Sequence, residues 1–169
     1  VIRPADPHET HAAWQVALEA KETTSVLVLT SQNINVNAEF NCVDNVRKGA
    51  YIISEASQNP VAQIVATGSE VDLGIKAQKE LENQGIFVDV VSMPCFRLFD
   101  MQDEVYKNSV LKTGIKKLGI EMASSFGWSK YVDDVLCIDT FGASGNGNEV
   151  MNLFGFNKET VVNKVKELI

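Results

Sequence analysis

Hydrophobic and polar positions change their period several times along the chain, and each change marks an element. An apolar run through Ile64 to Ala66 ends at Thr67-Gly68. Beyond it Leu73, Gly74, Ala77 and Leu81 fall on one face of a 3.6-residue period, and Val71 and Ile75 widen that face. Asp72, Lys76 and Glu80 share the opposite face with alternating sign, as solvated helix faces do. Ser69 with Asp72 three residues later is a capping-box pattern, and Gly85 suits the position after the helix, where φ > 0 is required. "IFVDVV" (Ile86 to Val91), apolar but for Asp89, supplies a strand buried on both sides, as a parallel strand covered by helices would be. Together these predict strand, turn, helix and strand with a right-handed crossover.

The remaining patterns extend that plan. Asp6-Pro7-x-Glu9 predicts a helix start, with the helix running to about Ala20 and Ala13, Val16, Ala17 and Ala20 on one face. "SVLVLT" (Ser25 to Thr30) reads as a short buried strand, and residues 31–48, with five asparagines and no clear period, as a connector. A second unit begins at Gly49 with the strand "AYIIS" and a turn at Asn59-Pro60. After the βαβ segment come a helix near Gln102 to Leu111, a strand "KLGIEM", a short helix around Trp128 to Val132, and a strand "VLCI". Phe126, Trp128 and Tyr131 are expected to pack the core or an interface. The Gly-rich loop "TFGASGNGNE" leads into a helix at Glu149, and a final helix over Asn157 to Ile169 carries Val161, Val165 and Leu168. Alternating strands and helices predict an α/β layered sheet.

Composition narrows the classes. A chain of 169 residues suits one domain or one and a fraction. A net charge of −7 argues against nucleic-acid and anionic-membrane partners, and no run of 18 apolar residues exists. Cys42, Cys95 and Cys137 are odd in number and far apart, which fits a reducing cytosol and no structural zinc. The chain starts at Val1 with strand-like "VIRPAD" and no signal-peptide pattern, so a piece cut from a longer chain is expected.

Candidate chemistry is sparse. The "TGSE" turn, Gly68, Ser69 and Glu70, opens a helix whose amides could attract an anion, but Gly68 stands alone where phosphate loops carry several glycines. The reading is a hinge first and an anion or regulatory site second. His8 and His11 lie three apart on the first helix and are expected as a surface pair, since no third histidine exists. "GASGNG" (Gly142 to Gly147) is expected as a flexible loop rather than a phosphate cradle. No catalytic residue and no metal ligand is assigned.

Nine strings stand in an order and spacing that resemble the C-terminal third of transketolases: "RPAD", "LVLTSQNI", "GAYIIS", "VATGSEVDL", "VVSMPCFRLFDMQD", "YKNSVL", "FGWSKYV", "IDTFGAS" and "NLFGF". The resemblance covers essentially the whole chain. It implies that residues 1–33 are the tail of the pyrimidine-binding domain, a βαβ remnant, and residues 34–45 a linker. Residues 46–169 would be the C-terminal domain, three layers around a mixed, mainly parallel five-stranded sheet. It further implies a cytoplasmic, homodimeric parent in the pentose phosphate pathway. Such a parent moves a two-carbon ketol unit between sugar phosphates with thiamine diphosphate and Mg or Ca. The family's diphosphate and metal ligands, its activating glutamate and most of its substrate-binding histidines lie outside the matched region. These 169 residues alone are therefore expected to bind no cofactor and to be inert. The family pattern ends its strand "S-R-Q-N", with an arginine that binds substrate phosphate, and here Ser31 stands in that position. A related thiamine-diphosphate enzyme, such as a 1-deoxyxylulose-phosphate synthase or the β subunit of a 2-oxo-acid dehydrogenase, and a split-subunit assembly module are the alternatives.

Overall fold

The computed structural model describes residues 1–36 and 43–169. The chain runs α1 (Pro7–Glu19), α2 (Val43–Arg47), β1 (Tyr51–Ser54), β2 (Ala62–Ala66), α3 (Glu70–Asn83), β3 (Val88–Ser92), α4 (Phe96–Asp100) and α5 (Glu104–Val110). It continues through β4 (Lys116–Ile120), a 3₁₀ turn (Trp128–Lys130), β5 (Asp134–Leu136), α6 (Gly147–Leu153) and α7 (Lys158–Leu168). The five strands form one sheet in the order β1-β3-β2-β4-β5. β3, β2, β4 and β5 pair in parallel, and β1 runs antiparallel on the edge beside β3.

The pleat of the sheet sorts the core into two layers, because alternate side chains point to opposite faces. Ile64 and Val90 point to one face, where α1, α3 and α7 supply Ala13, Leu81 and Val165. Val65 and Val91 point to the other, against Phe99 of α4, Val110 of α5 and Trp128. All five residues of β2 and all five of β3 are buried, the polar Gln63, Asp89 and Ser92 included. Gly49 lets the second unit start. Its φ is +85°, and a Cβ there would lie 2.2 Å from the Phe99 amide nitrogen and 2.4 Å from the Cys95 carbonyl oxygen.

Several expectations change against the structure. Ser69 is no side-chain cap: it lies in the helical region, and its hydroxyl turns to Glu70 at 2.7 Å. Asp72 pairs instead with Lys76 at 2.7 Å and accepts from Asn35 at 3.0 Å. The "SVLVLT" strand reduces to one parallel bridge, Leu27 to Ile2, since no further strand lies beside it among the described residues. The helix near Gln102 starts at Glu104, because Asp103 caps it by accepting from the Tyr106 amide. α4 was not predicted, and α2 begins inside the segment read as connector, with Val46 buried against the core. Phe126 is 91% exposed while Trp128 is fully buried. Cys42 lies outside the described residues.

Glu9 carries more than the helix start it signals. Its backbone amide donates to Asp6 at 2.9 Å, as the cap predicts. Its side chain, though, is buried and accepts from the Ala5 amide at 2.7 Å, the Tyr51 hydroxyl of β1 at 2.7 Å and the Ser92 hydroxyl of β3 at 2.5 Å. Tyr51 and Ser92 face each other across the antiparallel pair, so one carboxylate ties α1 to the sheet edge. Burial pushes the Glu9 carboxyl above its ordinary 4.5, against the lowering effect of its three donors. A raised folded value means that the contribution to stability is fully present below the ordinary 4.5 and is lost as pH rises through the folded value. Glu9→Ala removes the acceptor of the buried Ala5 amide and Ser92 hydroxyl and is expected to cost about 3 kcal/mol in urea unfolding. Glu9→Gln is milder, because both hydroxyls can rotate to accept from its amide. Unfolding midpoints from about pH 5 to about pH 8 should fall less steeply in Glu9→Gln than in the natural protein. Equal slopes would remove Glu9 from the pH response.

Candidate functional site

In an open parallel sheet, ligands gather at the carboxyl ends of the strands, where successive connections leave in opposite directions. Here that place lies between β2 and β4, since the chain leaves β2 for β3 on one side and later adds β4 on the other. The Gly68-Ser69-Glu70 turn stands at the end of β2, and Glu121 follows the end of β4. A crevice of about 340 Å³ opens there, lined in part by Thr67, Pro94, Phe96, Glu121 and Phe126, with Arg3 in it.

Arg3 belongs to the N-terminal segment. Ile2 donates to the Val26 carbonyl at 2.8 Å and accepts from Val28 at 2.9 Å, which forms the bridge to Leu27. The next residue turns to the sheet: Arg3 N–H donates to the Pro94 carbonyl at 2.9 Å, and its carbonyl accepts from the Gly68 amide at 3.1 Å. Its guanidinium reaches Glu70 at 3.3 Å through Nη2 and Glu121 through Nη1. Glu121 also accepts from the indole N–H of Trp128. Gly68 takes φ +61°, and the guanidinium lies beside it, 3.4 Å from where a Cβ would stand, an ordinary van der Waals contact.

The "TGSE" turn therefore holds charge of its own. The Gly68 amide is spent on the Arg3 carbonyl, and the amide of Val71, just past the turn, on the Gly68 carbonyl at 3.2 Å. Glu70 is fully buried, and burial raises its carboxyl above the ordinary range, opposed by the Ser69 hydroxyl, Arg3 and the Met122 amide. Arg3 Nε is buried with no hydrogen-bond partner among the described residues.

Ser31 lies elsewhere, exposed on the stretch that leaves the Leu27 bridge. It lines a cleft of about 330 Å³ with Gln32, Asn33, Asn146, Gly147 and Asn148. The structure thus brings two predicted features together, the strand end at Ser31 and the Gly-rich loop, and keeps both apart from the Gly68 turn. His8 and His11 are exposed on α1, and the His11 ring meets Gln15 at 2.9 Å. Among the described residues no group of three or more His, Cys, Asp or Glu side chains can hold a metal ion. The half-buried Cys137 thiol is pushed up to about 12 by burial and by the nearby Glu121 and Asp139, so it stays protonated at neutral pH. Sequence reasoning missed Arg3 and Glu121; the available signal was a charge inside each of two strand-like stretches, "VIRPAD" and "KLGIEM".

Removing one partner of a buried pair strands the other charge. Arg3→Met is expected to lower stability by about 3 kcal/mol, toward the low end for buried pairs because Arg3 keeps 19% of its side chain exposed. Arg3→Met with Glu70→Gln and Glu121→Gln should recover most of that loss in urea unfolding. A single variant as stable as the natural protein would show that the guanidinium does not hold the crevice together.

Residues 49–157 match the family described as transketolase-like TK C-terminal domain. The chain is 47% identical to the transketolase of Bacillus subtilis (strain 168), over 100% of this chain and 26% of that protein. It therefore spans about a quarter of the length of the curated relatives it matches. A transketolase of Pichia stipitis solved with sedoheptulose 7-phosphate superposes with a TM-score of 0.94 at 41% identity, over 99% of this chain and 24% of that one. A split-gene transketolase described as an inactive β4 tetramer shares the fold at a TM-score of 0.67 and 19% identity, over 99% of this chain and 56% of that one.

Proposed function

The chain belongs to the transketolase family, and we propose that its 169 residues are the C-terminal part of a transketolase. The observation that carries this is continuity: one stretch of the Bacillus subtilis enzyme aligns with all of this chain, through the N-terminal segment as well as the sheet domain. In this reading residues 1–33 are the tail of the pyrimidine-binding domain, 34–45 a linker and 46–169 the C-terminal domain.

The whole enzyme would transfer a two-carbon ketol unit from a ketose phosphate to an aldose phosphate in the cytoplasmic pentose phosphate pathway, as a homodimer. Thiamine diphosphate, with Mg or Ca, supplies the electron sink for that transfer when bound. The residues described here would contribute the strand end at Ser31 to the substrate side and the sheet domain as support. The Gly68-Ser69-Glu70 turn is a hinge whose anionic place is taken by its own Glu70. On their own these residues bind no cofactor. Calorimetry of the 169-residue chain with thiamine diphosphate and Mg²⁺ should give no heat of binding, and ketol transfer should be undetectable. Micromolar cofactor binding would overturn this reading.

Ser31 bears on specificity. A serine hydroxyl supplies one neutral hydrogen bond where the family's arginine offers a charged, planar fork suited to phosphate. Losing a charged hydrogen bond costs about 1.5–3 kcal/mol, roughly 10- to 150-fold in binding that depends on phosphate. In the full-length enzyme, Ser31→Arg is expected to raise the ratio of kcat/KM for ribose 5-phosphate over ribose, mainly through KM. An unchanged ratio would dismiss this position from phosphate recognition.

A further inference from the structure

The cleft at Ser31 has a lining whose chemistry is unusually uniform. Of its six residues, four carry carboxamides (Gln32, Asn33, Asn146, Asn148), one a hydroxyl (Ser31) and one no side chain (Gly147). Among the described residues no Lys, Arg, Asp or Glu lines it. A phosphate dianion is ordinarily met by Arg or Lys, because neutral donors leave its charge uncompensated on leaving water. A carboxamide offers donors and an acceptor together, and a hydroxyl does the same. That pairing matches a row of sugar hydroxyls, each of which also donates and accepts.

The two walls are held in place from outside the cleft. The Gln32 amide donates to Thr30 Oγ1 at 3.2 Å, and Asn35 two residues after Asn33 donates to Asp72 of α3 at 3.0 Å. On the opposite wall Asn146 Oδ1 accepts from the Asn148 amide at 3.0 Å. The walls touch where Gln32 lies against Gly147: a Cβ at position 147 would come within 3.3 Å of the Gln32 carboxamide carbon. Meanwhile the side chains of Ser31, Gln32, Asn33 and Asn148 make no hydrogen bond with another described residue, so their polar atoms remain available to a ligand. The volume of about 330 Å³ is at the small end of ligand pockets.

We propose that this cleft binds the uncharged, polyhydroxylated end of a sugar, with Asn148 and Gln32 as specificity-determining residues from opposite walls. The serine at position 31 and the carboxamide loop across from it are then two parts of one adaptation, a neutral site for hydroxyls in place of a charged one. That this end belongs to the substrate of ketol transfer rests on the transketolase reading; the binding itself does not.

The test is an NMR titration of the ¹⁵N-labelled 169-residue chain with ribose, ribose 5-phosphate and inorganic phosphate, each to about 100 mM because an open neutral site binds weakly. Ribose should shift the side-chain NH₂ signals of Gln32, Asn33 and Asn148 in a saturable way, and inorganic phosphate should not. Asn148→Ala should weaken the ribose response several-fold, and Asn148→Asp should weaken ribose 5-phosphate more than ribose. Absence of a saturable ribose shift, or an equal response to inorganic phosphate, overturns the proposal. Both results would leave the transketolase reading untouched, since that reading stands or falls on cofactor binding and family register. Movement of the Gly68 to Val71 amides with phosphate, and none at the cleft, would place the ligand site at the crevice and equally refute the assignment.

Discussion

A single guanidinium decides how this chain is put together. Arg3 enters the crevice at the carboxyl ends of β2 and β4 and meets two carboxylates that the sheet itself supplies, Glu70 and Glu121. Neither carboxylate has solvent enough to be stable there alone. Glu70 is fully buried and Glu121 is shared with the Trp128 indole, so the pair depends on the arginine for its charge balance. Buried ion pairs stabilise little against an apolar alternative, but they penalise any arrangement in which one member is missing. Their effect here is on position. The N-terminal segment docks with Arg3 between the Pro94 carbonyl and the Gly68 amide.

Glu9 repeats this logic with hydrogen bonds. Arg3 fixes the segment at the carboxyl ends of the strands; Glu9 fixes α1 at the edge pair β1 and β3 through Tyr51 and Ser92. Both contacts join the N-terminal segment and α1 to the sheet, and both are polar groups removed from water. Such a boundary is demanding in geometry and costly to violate, unlike a greasy contact that can slide. At the same time Trp14 and Leu18 of α1 are 53% and 76% exposed, and Val26, Val28 and Leu29 around the bridge stay open as well. One side of the N-terminal unit is locked to the sheet while its other side presents apolar surface.

How much of this was legible in the sequence follows from the range of each interaction. α3 and β3 were readable because a 3.6-residue period and a largely apolar run, broken by Asp89, are local consequences of burial on one face or two. Gly85 at φ +75° was readable because only one residue type sits there without strain. The Ser69 cap misled, because the serine hydroxyl had a competing partner in the next residue, Glu70, which the fold turns inward. "SVLVLT" misled for the opposite reason: strand propensity needs a neighbouring strand to become a ladder, and only Ile2 bridges to it. Arg3, Glu121 and the buried role of Glu9 depend on partners 67 to 118 and 42 to 83 positions away, which no local period encodes. The position of Ser31 was legible as a departure from a family string, but its facing wall at Asn146 to Asn148 was not, since more than a hundred residues separate them.

The crevice and the cleft then divide between them what one place does in many α/β sheets. A carboxyl-end crevice serves ligands because unpaired amides and a helix start converge there with nothing from the protein to fill it. Here Arg3 and its two carboxylates fill that role, and the Gly68 and Val71 amides are committed to carbonyls of the protein itself. A small anion entering would have to displace a guanidinium already paired, and would face Glu70 and Glu121 at close range. The electrostatics that make the crevice a good docking point for the chain's own N-terminal segment make it a poor one for a phosphate. Besides the unpartnered Arg3 Nε, polar side chains without a hydrogen-bond partner line the carboxamide cleft, where no charged side chain stands among the described residues. In this protein the position where such sheets hold ligands joins the N-terminal segment to the sheet instead.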